Sequence, residues 1–500
     1  MSHDKSTLIL KKLGIDTYKE SIIFLREDCH MCLSEGFEAK TCVQVKFHDK
    51  IIIATINIIK SNLLKIGEAA LSEYALKMLG AKEGDKIIVS HARPVKSLSF
   101  VRSKIYGNIL AAEEIKEVIH DITAGYYSDI QIAAFLTACT GQNMNQEEIF
   151  NLTKSMIDAG EKINWSNDLI VDKHCIGGLP GNRTTPIIVS IVAAFGLIIP
   201  KTSSRAITSP AGTADVMEVL TQVEFDVEKM KKIVAQENGC LAWGGSVSLS
   251  PADDILIRIE KALDLDSEAQ LVASILSKKI AAGANHILID IPIGETAKIR
   301  SKEAALILQN HLEKIGEKLD VKIKTIFTDG SQPVGNGIGP ALEARDLIAV
   351  LKNDANAPQD LKKRAIMLAG EIIEFSPKIK KGEGKILAAE ILNSGKAWDK
   401  FQAICKAQGG LKKIPQALKI HQYLSTKNGV ISAMHNRRIA LIAKLAGAPL
   451  DKTSGIDLHV KINDEVKKGQ VLFSIHTSSE EVLEYVLDYL HEGNDIITIS

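Results

Sequence analysis

Five hundred residues exceed what one hydrophobic core usually supports, so roughly two to four domains are expected. Basic and acidic side chains balance at 61 each, which removes any overall pull toward nucleic acid or an anionic membrane and requires that a basic site be local. The first residues lack an apolar signal region, the longest nearly apolar run (187–199) is too short to span a bilayer, and seven scattered cysteines do not form a disulfide framework; a soluble, cytoplasmic protein is the expectation.

From about Leu8 to Ala92, β-branched runs such as KTCVQVKF (40–47) and DKIIIATI (49–56) alternate with glycine-bearing turns. They predict a small β-rich domain over residues 1–92 with one helix near 72–79. Cys29 and Cys32 form a CxxC around His30, but a structural zinc site needs four ligands and Cys42 is the only other thiol nearby. Ordinary reduced cysteines and no metal are expected there.

After Arg93 and Pro94 the pattern becomes helical. Asn145 and Glu148 have capping-box spacing, and Ile149, Leu152, Met156 and Ile157 share one helical face. Similar spacing over 109–122 and 130–139 predicts a helical lobe over 93–166, completed by about 251–282, where LVASILSKK (271–279) is the best segment.

From Asp168 the pattern is α/β, predicting a domain over 167–428. HILIDIP (286–292) and KIKTIF (322–327) read as buried strands separated by helices, which implies a largely parallel sheet with its ligand crevice outside the carboxyl ends of the strands. The loop TDGSQPVGNGIG (328–339) belongs at that edge. Residues 429–500 read as a small α+β domain, in which DLHVKINDEVKKGQVLFSIH (457–476) is similar to small carrier sandwiches. Asp451 and Lys452 match the carrier lysine poorly, so packing or oligomerisation is the expected role. The fold class is therefore a multidomain α/β protein, with a helical lobe and a mixed, largely parallel α/β domain facing each other across a cleft.

The chemistry concentrates in 171–220. VDKHCIGGLPGNRTT (171–185) and KTSSRAITSPAGTADVMEVL (201–220) each bring glycines and hydroxyls into a predicted helix start, with Pro186 suited to a first helical position. Glycine admits close backbone approach, and a helix N-terminus presents unpaired N–H groups, so the pair reads as an anion cradle. Lys173, Thr184, Ser203 and Thr213 suit phosphate, Lys173 by charge and the hydroxyls by direction. Asp266 as an acid or His174 as a donor suits a departing base. Taken singly, Thr184, Thr213 and Asp266 read more readily as helix caps than as chemistry; their clustering across two loops reverses that weighting.

These two stretches resemble the thymidine phosphorylase signature, and the second is closer still to the AMP phosphorylase branch and its bacterial type-2 relatives. The resemblance follows the family's domain order along nearly the whole chain. It implies a phosphate site of Lys173, Thr184, Ser203 and Thr213, with Cys175 where the family often has serine, and a base site of His174, Arg258, Ser274 and Lys278. Arg258 aligns only with a one-residue insertion. The AMP phosphorylase branch implies a nucleotide site at Gly178, Ser204, Arg205, Ala206, Ile207, Thr208, Ser209, Thr213, Ser274 and Lys298, with Asp266 as proton donor.

The implied reaction is phosphorolysis with inorganic phosphate as co-substrate, no metal or other cofactor, and a homodimer or larger homo-oligomer. Thymidine is the first expected substrate and AMP or another nucleoside monophosphate the second. A phosphoribosyltransferase of the anthranilate type is a more distant alternative, disfavoured because DKHCIGG stands where a GTGGDG-like loop is usual. A non-catalytic nucleotide-binding protein is the remaining alternative.

Overall fold

The computed structural model describes residues 7–500 except 36–37, 93, 142, 207–208, 248, 264, 266 and 494–495, and except the side chains of 31, 34 and 35. The chain forms two compact units, residues 1–155 with 255–270 and residues 156–254 with 271–500.

In the first unit, strands β1 (Thr7–Leu10), β2 (Ile22–Arg26), β3 (Cys42–Phe47), β4 (Lys50–Ile59), β5 (Glu68–Leu71) and β6 (Lys86–His91) close into a barrel in the order β1-β5-β2-β4-β3-β6. Alternation explains the closure: Val43 and Val45 of β3 point into the core while Lys46 points out. Closing the sheet also removes its edges. The helix Glu73–Leu79 starts on Ser72, whose Oγ accepts from Ala75 N at 3.2 Å, and stops at Gly80 in the left-handed region. Cys29 and Cys32 are buried in the barrel core, and burial with the neighbouring Cys29 pushes the Cys32 thiol up to about 12. Among the described residues no cluster of three or more His, Cys, Asp or Glu could hold a metal ion.

The helices Leu98–Ile105, Ala112–Thr123, Asp129–Ala138 and Gln146–Asp158 follow. Asn145 Oδ1 accepts from Glu148 N at 2.9 Å while Glu148 Oε2 accepts from Asn145 N at 3.0 Å, the reciprocal capping the spacing predicts. The same buried carboxylate receives Lys104 Nζ at 2.6 Å.

In the second unit, β7 (Val171–Cys175), β8 (Ile199–Ser203), β9 (Gly239–Trp243), β10 (His286–Ile293) and β11 (Lys322–Asp329) are the strands of the α/β domain. β11, β10 and β7 pair in parallel, as do β8 and β9, and a parallel bridge between Ile170 and Ile198 joins the two sets. The two strands expected near 286–292 and 322–327 are β10 and β11, neighbours in register from His286 opposite Lys322 to Ile293 opposite Asp329. The helix Thr184–Phe195 is buried from Thr184 to Ala193, with apolar residues on every face, and helices pack on it from several sides in the domain core. It begins two residues before Pro186, which sits in the first turn, where its missing N–H breaks no helical bond.

β12 (Gly337–Ile338), β13 (Lys419–Leu424), β14 (Gly429–Met434), β15 (Gly455–Leu458), β16 (Glu465–Val466), β17 (Val471–Thr477) and β18 (Ile497–Ile499) form two antiparallel sheets, β12-β15-β17-β13 and β16-β14-β18. β12 thus ties the loop after β11 to the C-terminal domain. Arg345 adds a bidentate pair with Asp457, both bonds at 2.7 Å. No helix among the described residues is long and apolar enough to cross a membrane.

Candidate active site

β7 carries three adjacent polar residues into the carboxyl edge of the sheet. Lys173 is 1% exposed; its Nζ donates to Thr184 Oγ1 at 3.0 Å and stands 4.0 Å from Asp290 Oδ2 on β10. The carboxylate supplies the counter-charge that an ammonium held away from water requires. Thr328 Oγ1 donates to the other oxygen of Asp290 at 2.6 Å, which fixes that carboxylate.

Cys175 follows two residues later, opposite Asp290 in the strand register. Burial, then the nearby Asp290 carboxylate, pushes its thiol up to about 12, so it is a neutral, weak donor and no nucleophile at ordinary pH. The loop beyond it packs tightly. A Cβ on Gly178, which has φ +77°, would collide with the backbone of Lys298, and one on Gly181 would collide with Val334 O. Asn182 N donates to Val334 O at 2.8 Å, so the loop 328–339 does lie against the first cradle loop.

Beneath the cradle is a buried charge cluster. Asp172 Oδ1 receives Lys201 Nζ at 3.0 Å and Oδ2 lies 3.1 Å from Lys279 Nζ. Both lysines thus converge on the single Asp172 carboxylate. Burial alone would raise the Asp172 carboxyl, but the two lysines outweigh it and hold it below its usual range. Burial pushes Lys279 down to about 7. Burial, then Lys279, Lys201, Lys278 and Lys173, pushes His174 well below 6.5, so its imidazole is neutral. Lys278 Nζ bonds Ser274 Oγ at 2.9 Å and Asp253 Oδ2 at 2.7 Å.

The second cradle loop leaves β8 at Ser203, whose Oγ is cut off from solvent and has no hydrogen-bond partner among the described residues. It ends at the helix Thr213–Leu220. Asp215 Oδ2 ties the loop down, accepting from Ala206 N at 2.7 Å and Gly212 N at 2.8 Å. Arg205 forks onto Glu218, both bonds at 2.8 Å, reaches Glu224 at 2.7 Å and lies over the Trp243 ring at 4.7 Å. Lys452, weighed as a carrier lysine, bonds Glu218 Oε2 at 2.8 Å, so the C-terminal domain braces this loop. Thr213 Oγ1 receives Arg183 Nη1 at 2.7 Å, and Arg183 Nε bonds Glu343 Oε2 at 2.7 Å. Burial pushes the Glu343 carboxyl up to about 7, against the opposing pull of Arg183.

The second unit therefore contains Lys173, His174, Cys175, Gly178, Thr184, Ser203, Ser204, Arg205, Ala206, Ser209, Thr213, Ser274, Lys278 and Lys298. Arg258 belongs to the first unit, where Asp129 grips its guanidinium at 2.5 and 2.6 Å. Asp266, Ile207 and Thr208 lie outside the described residues. Sequence reading missed Asp172, Lys201, Lys279, Asp290, Arg183 and Glu343. The available signal was a charged residue inside an otherwise apolar strand, as Asp290 is in HILIDIPI.

Two adjacent strand ends, each running through a hydroxyl-bearing loop into a helix N-terminus beside buried lysines, form a candidate site with the chemistry to receive an anion. Family models agree in domain order: residues 98–160 match the helical bundle domain of a glycosyl transferase family, residues 167–398 its a/b domain, and residues 430–496 the pyrimidine nucleoside phosphorylase C-terminal domain. The chain is 57% identical over 493 residues to a "Putative thymidine phosphorylase" of Legionella pneumophila (strain Corby), covering 99% of this chain and 95% of that one. It is 52% identical over 493 residues to one of the same description from Hahella chejuensis (strain KCTC 2396), covering 99% and 98%. The chain belongs to the thymidine phosphorylase family, and is a pentosyltransferase of that family. Anthranilate phosphoribosyltransferase from Thermus thermophilus shares the fold, with a TM-score of 0.52 and 20% identity over 62% of this chain and 98% of that one.

Proposed function

We propose that the protein catalyses reversible phosphorolysis of thymidine, giving thymine and 2-deoxy-α-D-ribose 1-phosphate. The observation that carries this reading is the matched pair of helix starts: Thr184 and Thr213 each open a helix at a cradle loop, and each hydroxyl accepts from a cationic side chain. A phosphate oxygen attacks C1′ as the C1′–N bond breaks through an oxocarbenium-like state. The bonding electrons leave with the base, which is then protonated. Lys173 with Thr184, Ser203 and Thr213 holds the attacking anion. Neutral His174, with Ser274 and Lys278, offers donors to the carbonyl oxygens of the departing pyrimidine, and Asp266 is the proton donor that the resemblance implies.

A nucleoside 5′-monophosphate such as AMP is the second reading, favoured by the serines of the 204–209 loop. Because Glu218 and Glu224 already hold Arg205, the 5′-phosphate would rest on hydroxyls and N–H groups such as Ser204 and Ser209. The test is base release, followed chromatographically, from thymidine, uridine, AMP, CMP or UMP with phosphate. Thymine release with the highest kcat/KM supports the first reading, and preferential adenine release replaces it with the second. No base from any substrate overturns phosphorolysis, and activity requiring magnesium and phosphoribosyl pyrophosphate assigns the site to phosphoribosyl transfer. A homodimer or larger homo-oligomer accompanies this reading, and a monomeric mass by light scattering would remove that part.

A further inference from the structure

Arg183 is the residue immediately before the Thr184–Phe195 helix, and its side chain joins three parts of the second unit. Nε and Nη2 bond Glu343 Oε2 at 2.7 and 2.6 Å, Nη2 bonds Ala211 O at 2.9 Å, and Nη1 bonds Thr213 Oγ1 at 2.7 Å. Glu343 is anchored in turn by Gly339 N, which donates to its Oε1 at 3.1 Å. The pair is shielded from water, with side-chain exposures of 12% for Arg183 and 1% for Glu343. A planar guanidinium gripped on several edges cannot rotate, so the direction of Nη1 is set.

A threonine hydroxyl has one hydrogen and two lone pairs. At Thr213 one lone pair is occupied by the Arg183 donor, so the hydrogen must point elsewhere, and among the described residues no protein acceptor takes it. Thr184 is in the same state, with its oxygen receiving Lys173 and its hydrogen without a protein acceptor among the described residues. The two cations nevertheless differ. Lys173 stands 4.0 Å from its carboxylate, whereas Arg183 is in direct hydrogen-bonding contact with Glu343 Oε2. Arg183 therefore contributes direction more than net charge.

We infer that Arg183 is a positioning residue, which fixes the Thr213 hydroxyl so that its O–H donates to the attacking phosphate. The inference rests on the phosphorolysis reading and concerns the anion half of that site. Lysine would be a poor replacement, because an ammonium lacks the planar fork that reaches Glu343, Ala211 and Thr213 together.

The test is a double-mutant cycle of Arg183→Met and Thr213→Val in the full-length chain, reading KM for phosphate and KM for nucleoside separately. A base-release assay on the wild type comes first, and a wild type that releases no base overturns the phosphorolysis reading and this inference with it. In an active enzyme, Arg183→Met is expected to raise the phosphate KM about 10-fold to 100-fold, as for loss of a charge-assisted hydrogen bond. The nucleoside KM should stay within about threefold, and in the Thr213→Val background the added effect on the phosphate KM should shrink below about threefold, because the two residues act through one hydroxyl. Equal effects in both backgrounds, or parallel changes in both KM values, would overturn the positioning role while leaving phosphorolysis intact. Should Arg183→Met not fold, the cycle is run with Arg183→Lys under the same criteria.

Discussion

Lys173 Nζ donates to Thr184 Oγ1 at 3.0 Å from the far side of the first cradle loop, while Asp290 stands 4.0 Å behind it. One ammonium thus orients a hydroxyl in front and neutralises a buried carboxylate behind. Lys173→Met should abolish measurable phosphate saturation and leave Asp290 buried without its cation, costing about 3–5 kcal/mol of stability. Lys173→Met with Asp290→Asn should recover most of that stability and none of the activity. Urea unfolding of both variants checks this, and a double variant no more stable than the single one would deny the pairing.

Ser203 gives the opposite pattern. Its Oγ is buried and has no hydrogen-bond partner among the described residues, which marks it as an unsatisfied polar atom in the absence of a bound anion. Ser203→Ala should leave stability unchanged or raise it by about 1 kcal/mol, while weakening phosphate binding about tenfold. Thermal unfolding with and without phosphate separates the two effects: the variant melts at or above the wild-type temperature alone and gains less from added phosphate. A destabilised variant with unaltered phosphate response would remove Ser203 from the anion site.

Much of this architecture was legible because it is written locally. The Asn145–Glu148 capping box, the β-branched alternation of β3 and the apolar run of β10 each declare themselves within a few residues. The two glycine-and-hydroxyl loops running into helix starts were equally plain, whereas the strands that precede them, Val171–Cys175 and Ile199–Ser203, were not. What sequence could not show was partnership through the sheet. Arg183 and Glu343 are 160 residues apart, and Asp290 meets Lys173 only because β10 lies beside β7 in a particular register. The helix Thr184–Phe195 begins two residues before Pro186, which takes a place in its first turn instead of the first position, a difference within the usual spread of helix ends.

His174 yields a pH prediction. Burial and four lysines place its folded pKa well below 6.5, so the unfolded chain binds the proton more readily. The stability associated with neutral His174 is therefore fully present above pH 6.5 and is lost as pH falls through the folded value. His174→Gln should flatten this acid-side loss, so the urea midpoints of variant and wild type converge as pH is lowered from about 8 to about 5. Wild type and variant losing stability in parallel on acidification would show that His174 is not held neutral.

Lys452 reaches from the C-terminal domain to Glu218, which also holds Arg205 of the second cradle loop. Hydrogen bonds from Arg205, reinforced by Lys452, lower the Glu218 carboxyl to about 2, but the Lys452–Glu218 pair is only partly shielded, with side chains 31% and 32% exposed. Its stability contribution is correspondingly small, about 0–1 kcal/mol. Its mechanical consequence is larger, because the loop it braces is where the nucleoside or nucleotide is proposed to sit. Lys452→Met should leave the urea midpoint nearly unchanged and raise the nucleoside KM several-fold, with the phosphate KM little affected. Glu218→Gln should have the stronger effect on nucleoside KM, since it weakens the Arg205 fork as well as the Lys452 contact. Steady-state kinetics with each substrate varied in turn provide the measurement. If Lys452→Met changes neither KM, the C-terminal domain is a packing element alone; if it changes both equally, the brace acts on the fold as a whole and not on the second loop.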